Sequence, residues 1–407
     1  MSLRHFSSVA VVLTAFVLAS GRGEAHKPIT SPYTYTDDVF PILRDRCGRC
    51  HVTGGVAPMS LMTYKETFPW GESIRTELVA GHMPPWTVEE AAGKFRNAQP
   101  LSARDLNVLL TWATGGNPIG NIDATLPAVE VKRDWRLGPP DLVLPWPSES
   151  TISAEQTEQT REFTLPTGTT ESRWVRAADL LPGNPAIVRS ATISVAQPGS
   201  GVTGAIRAEQ ILAVWIPGDD PIPLEGGAAF RLPAGANLVV RVHYKKTWEN
   251  ERLAMSDRSA IGLYYAPAAT TELRAVTLSV AQDSTPSPPK TAAIASPGDQ
   301  RFSFGTVVEQ DLQAVAIYPD PALARARVEV TAVRPDGSRT EMIRFRPQPD
   351  WARRYWFTEP VPLPKGTRLT VVMDFDEALL PPGAAPIKTT RPDPSSLALT
   401  LNVVARP

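Results

Sequence analysis

Cysteine is nearly absent from this chain: Cys47 and Cys50 are the only two in 407 residues. At most one disulfide can form, and the pair has three possible uses: a structural disulfide, a redox dithiol, or anchorage of a covalent haem. Histidine is almost as scarce, with His5, His26, His51, His82 and His243 as the full set. So few imidazoles leave no candidate base beside any of the many serines, and no nucleophilic triad stands out. An excess of one charge is also missing, with 41 Lys+Arg against 42 Asp+Glu and a net charge of -1. Nothing in that balance asks for nucleic acid or an acidic membrane surface. Beyond the N-terminus no stretch is apolar enough to span a bilayer, so no integral span is expected in the mature chain.

What is abundant is proline. The 41 prolines are about twice an average share and disfavour long helices, while suiting short strands joined by turns. The length suggests two or three domains. The N-terminus has the form of an export signal over residues 1–25. Arg4 and His5 make a positive start, Val9 to Ala19 an apolar run, and Gly23-Glu24-Ala25 a small-residue cleavage site. An uncleaved anchor is the alternative. Export implies a periplasmic or otherwise extracytoplasmic, oxidising location.

The two cysteines stand in "RCGRCHV", and Cys47-Gly48-Arg49-Cys50-His51 fits C-x-x-C-H, the attachment motif for c-type haem. Thiols three positions apart on one helical turn can each form a thioether to a haem vinyl group, and the next residue, His51, offers an imidazole to the iron. A thioredoxin-like dithiol should follow a strand. Here "TDDVFPILRDRCGRCH" reads as helix, with Asp37 and Asp38 at its start, Pro41 in the first turn and Val39, Ile42 and Leu43 on one face.

Haem iron takes a sixth ligand or keeps an open position. "GHMPPW" presents Met83, 32 residues beyond His51, on a Pro84-Pro85 loop of restricted freedom. Met59 and Met62 compete as ligands but suit pocket packing, and His82 would give bis-His ligation. A further helix is expected in "LSARDLNVLLTWATGG": Ser102 as N-cap, Asp105 three later, an apolar face of Leu106, Leu109, Leu110 and Ala113, and Gly115-Gly116 at its end. With these words, residues 33–120 resemble a small cytochrome c domain found in many exported bacterial multidomain proteins. The resemblance implies a small all-α fold and Cys47, Cys50, His51 and Met83 as the haem-binding residues, His51 and Met83 on the metal.

After residue 120 short β-like runs recur at roughly ten-residue spacing, which argues for β-sandwiches. Residues 281–299 read as a linker or long loop, and "RPDG" signals a hairpin. The acidic pairs Asp219-Asp220 and Asp374/Asp376 read as solvated turn charges. "WVRAADLLPGNPAIVRSATI", "AVWIPGDDPIPLEGGAAFRLPAGANLVVRVHY" and "AIYPDPALARARVEVTAVRPDGSRTEMIRF" resemble the copper type II, ascorbate-dependent monooxygenases, whose familiar member is the peptidylglycine α-hydroxylating enzyme. The resemblance implies two all-β jelly-roll sandwiches, over 135–270 and 271–407, with one copper in each.

The copper positions do not carry that family's ligands. Arg189-Ser190 stands where it has a His-His pair, Asp320-Pro321-Ala322 where it has His-x-His, and "IKTTRPDPSSLALT" lacks its methionine; only His243 is kept. Copper is therefore not expected, since imidazole is what suits it. If cleavage follows Ala25, His26 would become an N-terminal residue able to chelate copper. Arg189 and Asp320 would instead suit pockets for anions or organic ligands. The sequence thus favours a periplasmic electron-transfer protein with one covalent haem and a degenerate monooxygenase-like scaffold that docks a redox partner or binds a small molecule. The alternative is a copper monooxygenase fed by its own haem.

Overall fold

The computed structural model describes residues 30–85, 88–89, 93–98, 100–196, 211–268, 271–279, 301–319, 326–348, 351–375 and 398–405. The expected signal segment, His26, Trp86, the 281–299 linker, Asp320, Ala322, Asp376 and most of the "IKTTRPDPSSLALT" stretch lie outside those residues.

The chain enters through a π-helical turn, Tyr35–Val39, capped by Thr34, whose hydroxyl accepts the Asp37 N–H. It continues into α1 (Phe40–Arg46), with Pro41 in its first turn, where a missing N–H costs nothing. The short α2 (Tyr64–Thr67), a 3-10 turn at Phe68–Trp70, and α3 (Gly71–Val79) follow. Then α4 (Ala103–Thr114) starts where the Ser102 hydroxyl accepts the Asp105 N–H at 3.0 Å, and it ends at Gly115. Its buried face is Val108, Leu109, Trp112 and Ala113. Leu106 and Leu110 are only half-buried, because Trp112 claims the core and donates its Nε1–H to the Pro118 carbonyl at 3.0 Å. Tyr35, Val39, Phe40, Leu43, Leu109 and Trp112 pack together as one apolar cluster.

The strands build two β-sandwiches. The first holds β1 (Leu142–Pro145), β2 (Ser150–Ile152), β3 (Glu158–Pro166), β4 (Arg173–Leu181), β5 (Val188–Ala196), β6 (Ile211–Trp215), β7 (Ala228–Leu232), β8 (Asn237–Lys245), β9 (Met255–Asp257), β10 (Ala260–Tyr265) and β11 (Thr271–Glu272). One sheet has the order β1-β10-β4-β7-β11, the facing one β3-β8-β5-β6, and β2 pairs with β9. On β8 Leu238, Val240, Val242 and Tyr244 are fully buried on one face, while the other face is buried only at Val239. Beneath them Asp257, 2% exposed, accepts from Trp146 Nε1, Tyr244 Oη, Ser259 and the Asn184 N–H, so its burial is matched by donors.

The second sandwich holds β12 (Arg274–Ser279), β13 (Arg301–Val307), β14 (Leu312–Pro319), β15 (Arg327–Val333), β16 (Arg339–Phe345), β17 (Tyr355–Leu363), β18 (Arg368–Asp374) and β19 (Ala398–Ala405). Its sheets have the orders β12-β19-β14-β17 and β13-β18-β15-β16. "RPDG" is the β15–β16 hairpin turn, with Gly337 at φ 82°.

The expectation of a small all-α cytochrome c domain over 33–120 is corrected by these elements. Nineteen strands against four α-helices, the longest of 12 residues, make the described chain predominantly β. The helices share one small core around Tyr35 and Trp112, but residues 88–89 and 93–98 leave it to lie on the second sandwich. There Val88 bridges to Phe345 and Phe95 to Phe357, with both side chains buried in the sandwich core. The Arg96 N–H donates to the Trp356 carbonyl and the Thr358 N–H to that of Lys94, both at 2.8 Å. No helix among the described residues is long and apolar enough to cross a membrane.

Candidate haem site

At the end of α1 the backbone continues for one more turn. The Cys50 and His51 N–H groups both donate to the Cys47 carbonyl, at 3.0 and 2.8 Å. Residues i, i+3 and i+4 of such a turn share a face, so Cys47, Cys50 and His51 look the same way. Gly48 permits the tight approach beneath them: a Cβ there would stand 2.6 Å from the Arg44 carbonyl oxygen.

The shared face forms part of the lining of an open, mostly apolar cleft, the kind of concave surface that cofactor sites use. Leu43, Leu61, Trp70, Ile74, Leu78 and Leu109 line it, together with Met59, Met83, Pro84 and Pro85. Met83 is therefore in the wall, whereas His82 turns away and pairs Nδ1 with Glu77 Oε2 at 3.0 Å. Met62 is buried in the helical core rather than in the cleft wall. Met59 does line the cleft, but its carbonyl is tied to His51: a carbonyl can only accept, so the His51 Nδ1–H donates to it, at 3.2 Å. That bond fixes the tautomer and leaves Nε2 with a free lone pair. Burial lowers the His51 pKa and keeps the imidazole neutral, which is the ligating form.

The cysteines are not bonded to each other. Burial pushes the Cys47 thiol up to about 12 and the Cys50 thiol up to about 11. A redox dithiol needs the opposite shift, because the thiolate is the reactive form. The residues present fit a c-type haem: two thiols and an imidazole on one turn, a thioether lining the same cleft, and an apolar lining.

Both sandwiches meet this site. Arg49 Nη1 bonds the Gly218 carbonyl and Asp220 Oδ2 at 2.9 and 2.8 Å. Gly218, at φ 84°, lies so close that a Cβ would stand 3.2 Å from Cys50 Sγ. Asp219 is not a solvated turn charge. It pairs with Arg353 at 3.3 Å, with side chains only 19% and 8% exposed, and burial raises its pKa. Arg353 Nη2 also donates to the Pro85 carbonyl at 3.2 Å. Of the 21 residues lining the cleft, only Arg189 on β5 and Trp351 before β17 come from outside 43–109. Sequence reasoning did not place either of these, nor Asp219 and Arg353, at this site.

Of the expected copper positions, Arg189, Ser190 and His243 are described. Ser190 and His243 are cross-strand partners, and His243 Nε2 lies 3.6 Å from Glu158 Oε2. No group of three or more His, Cys, Asp or Glu side chains is placed to hold a metal ion among the described residues.

No protein-family model matches the chain, and no curated protein sequence matches it. Among solved structures, similarity is found to a Paenibacillus xanthan lyase at 9% identity and a TM-score of 0.15, covering 71% of this chain and 28% of that one. An allantoicase aligns at 10% identity and a TM-score of 0.14, over 55% of this chain and 78% of that one. The 11S allergen of Cocos nucifera aligns at 9% identity and a TM-score of 0.13, over 64% and 89%. The chain thus spans about a quarter of the lyase, and likenesses this slight carry no argument about fold or function.

Proposed function

We propose that the chain holds one covalently attached c-type haem and passes single electrons through it, as an exported electron-transfer protein. The observation that carries this reading is the one apolar cleft lined by Cys47, Cys50, His51 and Met83, with His51 oriented by the Met59 carbonyl. Cys47 and Cys50 would anchor the group, and His51 and Met83 would ligate its iron. When bound, haem supplies reversible one-electron chemistry, and a Met/His pair favours a raised potential. The chain's own part is to hold His51 neutral, to exclude water with Leu43, Ile74, Leu78 and Leu109, and to seat the CGRCH turn on the 217–220 loop. The sandwiches would serve as a scaffold for a redox partner protein or a small molecule, and the site of action would be periplasmic.

Expression with the haem-attachment machinery tests the proposal. Haem should resist extraction by acidified acetone in the wild type and be extracted from Cys47→Ala/Cys50→Ala. Equal extraction from both proteins would sink it.

A further inference from the structure

β5 pairs with β8 in regular register except at one place, between Val188 and Ser190, where Arg189 is the extra residue of a β-bulge. Bulges break alternation and re-aim a side chain, and they gather beside functional sites. Here Val188 remains fully buried in the sandwich core, while Arg189 reaches the cleft that bears the CxxCH turn. Its guanidinium lies 5.6 Å from the ring centre of Trp351, the cleft's contribution from the second sandwich. It is also near enough to Cys50 to act on its thiol electrostatically. The other cation in the lining is Arg46, at the end of α1. Most of the remaining lining is apolar, with Glu77 the acidic side chain among it.

An apolar cleft with two guanidinium groups is complementary to a flat apolar ligand that carries carboxylates, because guanidinium pairs carboxylate in a planar fork. The geometry points to Arg189, held by Trp351, as a hydrogen-bond donor to a carboxylate of the bound haem, which makes both sandwiches part of the haem site. This rests on the haem reading above and extends it. The bulge residue that stands at a copper position in the resembled family serves the haem cleft instead. A cation at that place disfavours the more positive ferric state and so raises the reduction potential.

The test uses full-length, haem-loaded protein. Arg189→Gln should keep one covalent haem per chain, yet show a lower midpoint potential and a shifted propionate bending mode in resonance Raman spectra. Arg189→Lys, which keeps the charge but loses the fork, should hold the potential near wild type and still shift the Raman mode. Should Arg189→Gln not fold, the lysine variant's Raman mode decides alone. Haem-loaded variants with unchanged potential and unchanged propionate mode overturn this inference and leave the haem reading standing. Wild-type protein that matures without haem overturns both.

Discussion

Arg353→Met removes the charge that holds three parts of the molecule together while keeping the aliphatic stem. In the wild type the guanidinium is 8% exposed, 3.3 Å from Asp219 of the first sandwich and 3.2 Å from the Pro85 carbonyl of the Met83 loop. Removing one member of a buried ion pair costs about 3–5 kcal/mol, because the other charge is left without its partner. The charge-assisted bond to Pro85 is worth about 1.5–3 kcal/mol alone, and the two effects overlap since one group makes both. A loss of about 3–5 kcal/mol at neutral pH is therefore expected. The pH dependence follows from Asp219. Burial already raises its pKa and Arg353 opposes that rise. Without Arg353 the folded-state pKa climbs further above the unfolded one. The folded carboxyl then keeps a proton that the unfolded chain releases, so the variant loses stability as pH rises and its deficit shrinks on acidification. Urea unfolding followed by tryptophan fluorescence, at neutral and mildly acidic pH, measures this. Asp219→Asn added to Arg353→Met should recover most of the loss. A deficit under about 1 kcal/mol, the range of an exposed pair, or no recovery in the double variant, refutes the buried-clamp argument.

Met83→Ala should abolish the near-infrared sulfur-to-iron charge-transfer band of the ferric protein, and His82→Ala should leave it intact, as absorption spectra will show. Asp257→Ala should cost roughly 2–6 kcal/mol in denaturant unfolding, since the Tyr244 hydroxyl and the Asn184 N–H lose a buried acceptor. Asp179, 2% exposed, has its pKa pushed up by burial to about 6. Its ionisation should cost the fold about 3 kcal/mol between about pH 4 and pH 6, and Asp179→Asn should remove that part of the pH slope in unfolding experiments.

The grouping of the candidate haem residues was legible because they are local. Cys47, Cys50 and His51 occupy one turn, and a turn's geometry follows from spacing alone. Ser102 and Gly115 bound their helix for the same reason, as does Gly337 in its hairpin. What escaped was long-range. Asp219 and Arg353 are 134 residues apart in sequence and meet in a buried pair. Nothing near "IPGDDP" distinguishes a buried aspartate from a solvated one. The all-α expectation failed similarly. Val88 and Phe95 fall inside the 33–120 stretch expected to be all-α, but their apolar surface is satisfied by Phe345 and Phe357 of a distant sheet. Arg189 was visible as a departure from a copper ligand, but only the bulge shows which cleft it lines.

The most direct measurement is a potentiometric titration of the matured, full-length protein combined with metal analysis. The account predicts one iron per chain and a single one-electron wave, monitored in the haem absorption and lost in the Cys47→Ala/Cys50→Ala variant. A protein without iron, or one whose iron shows no reversible one-electron wave, contradicts it.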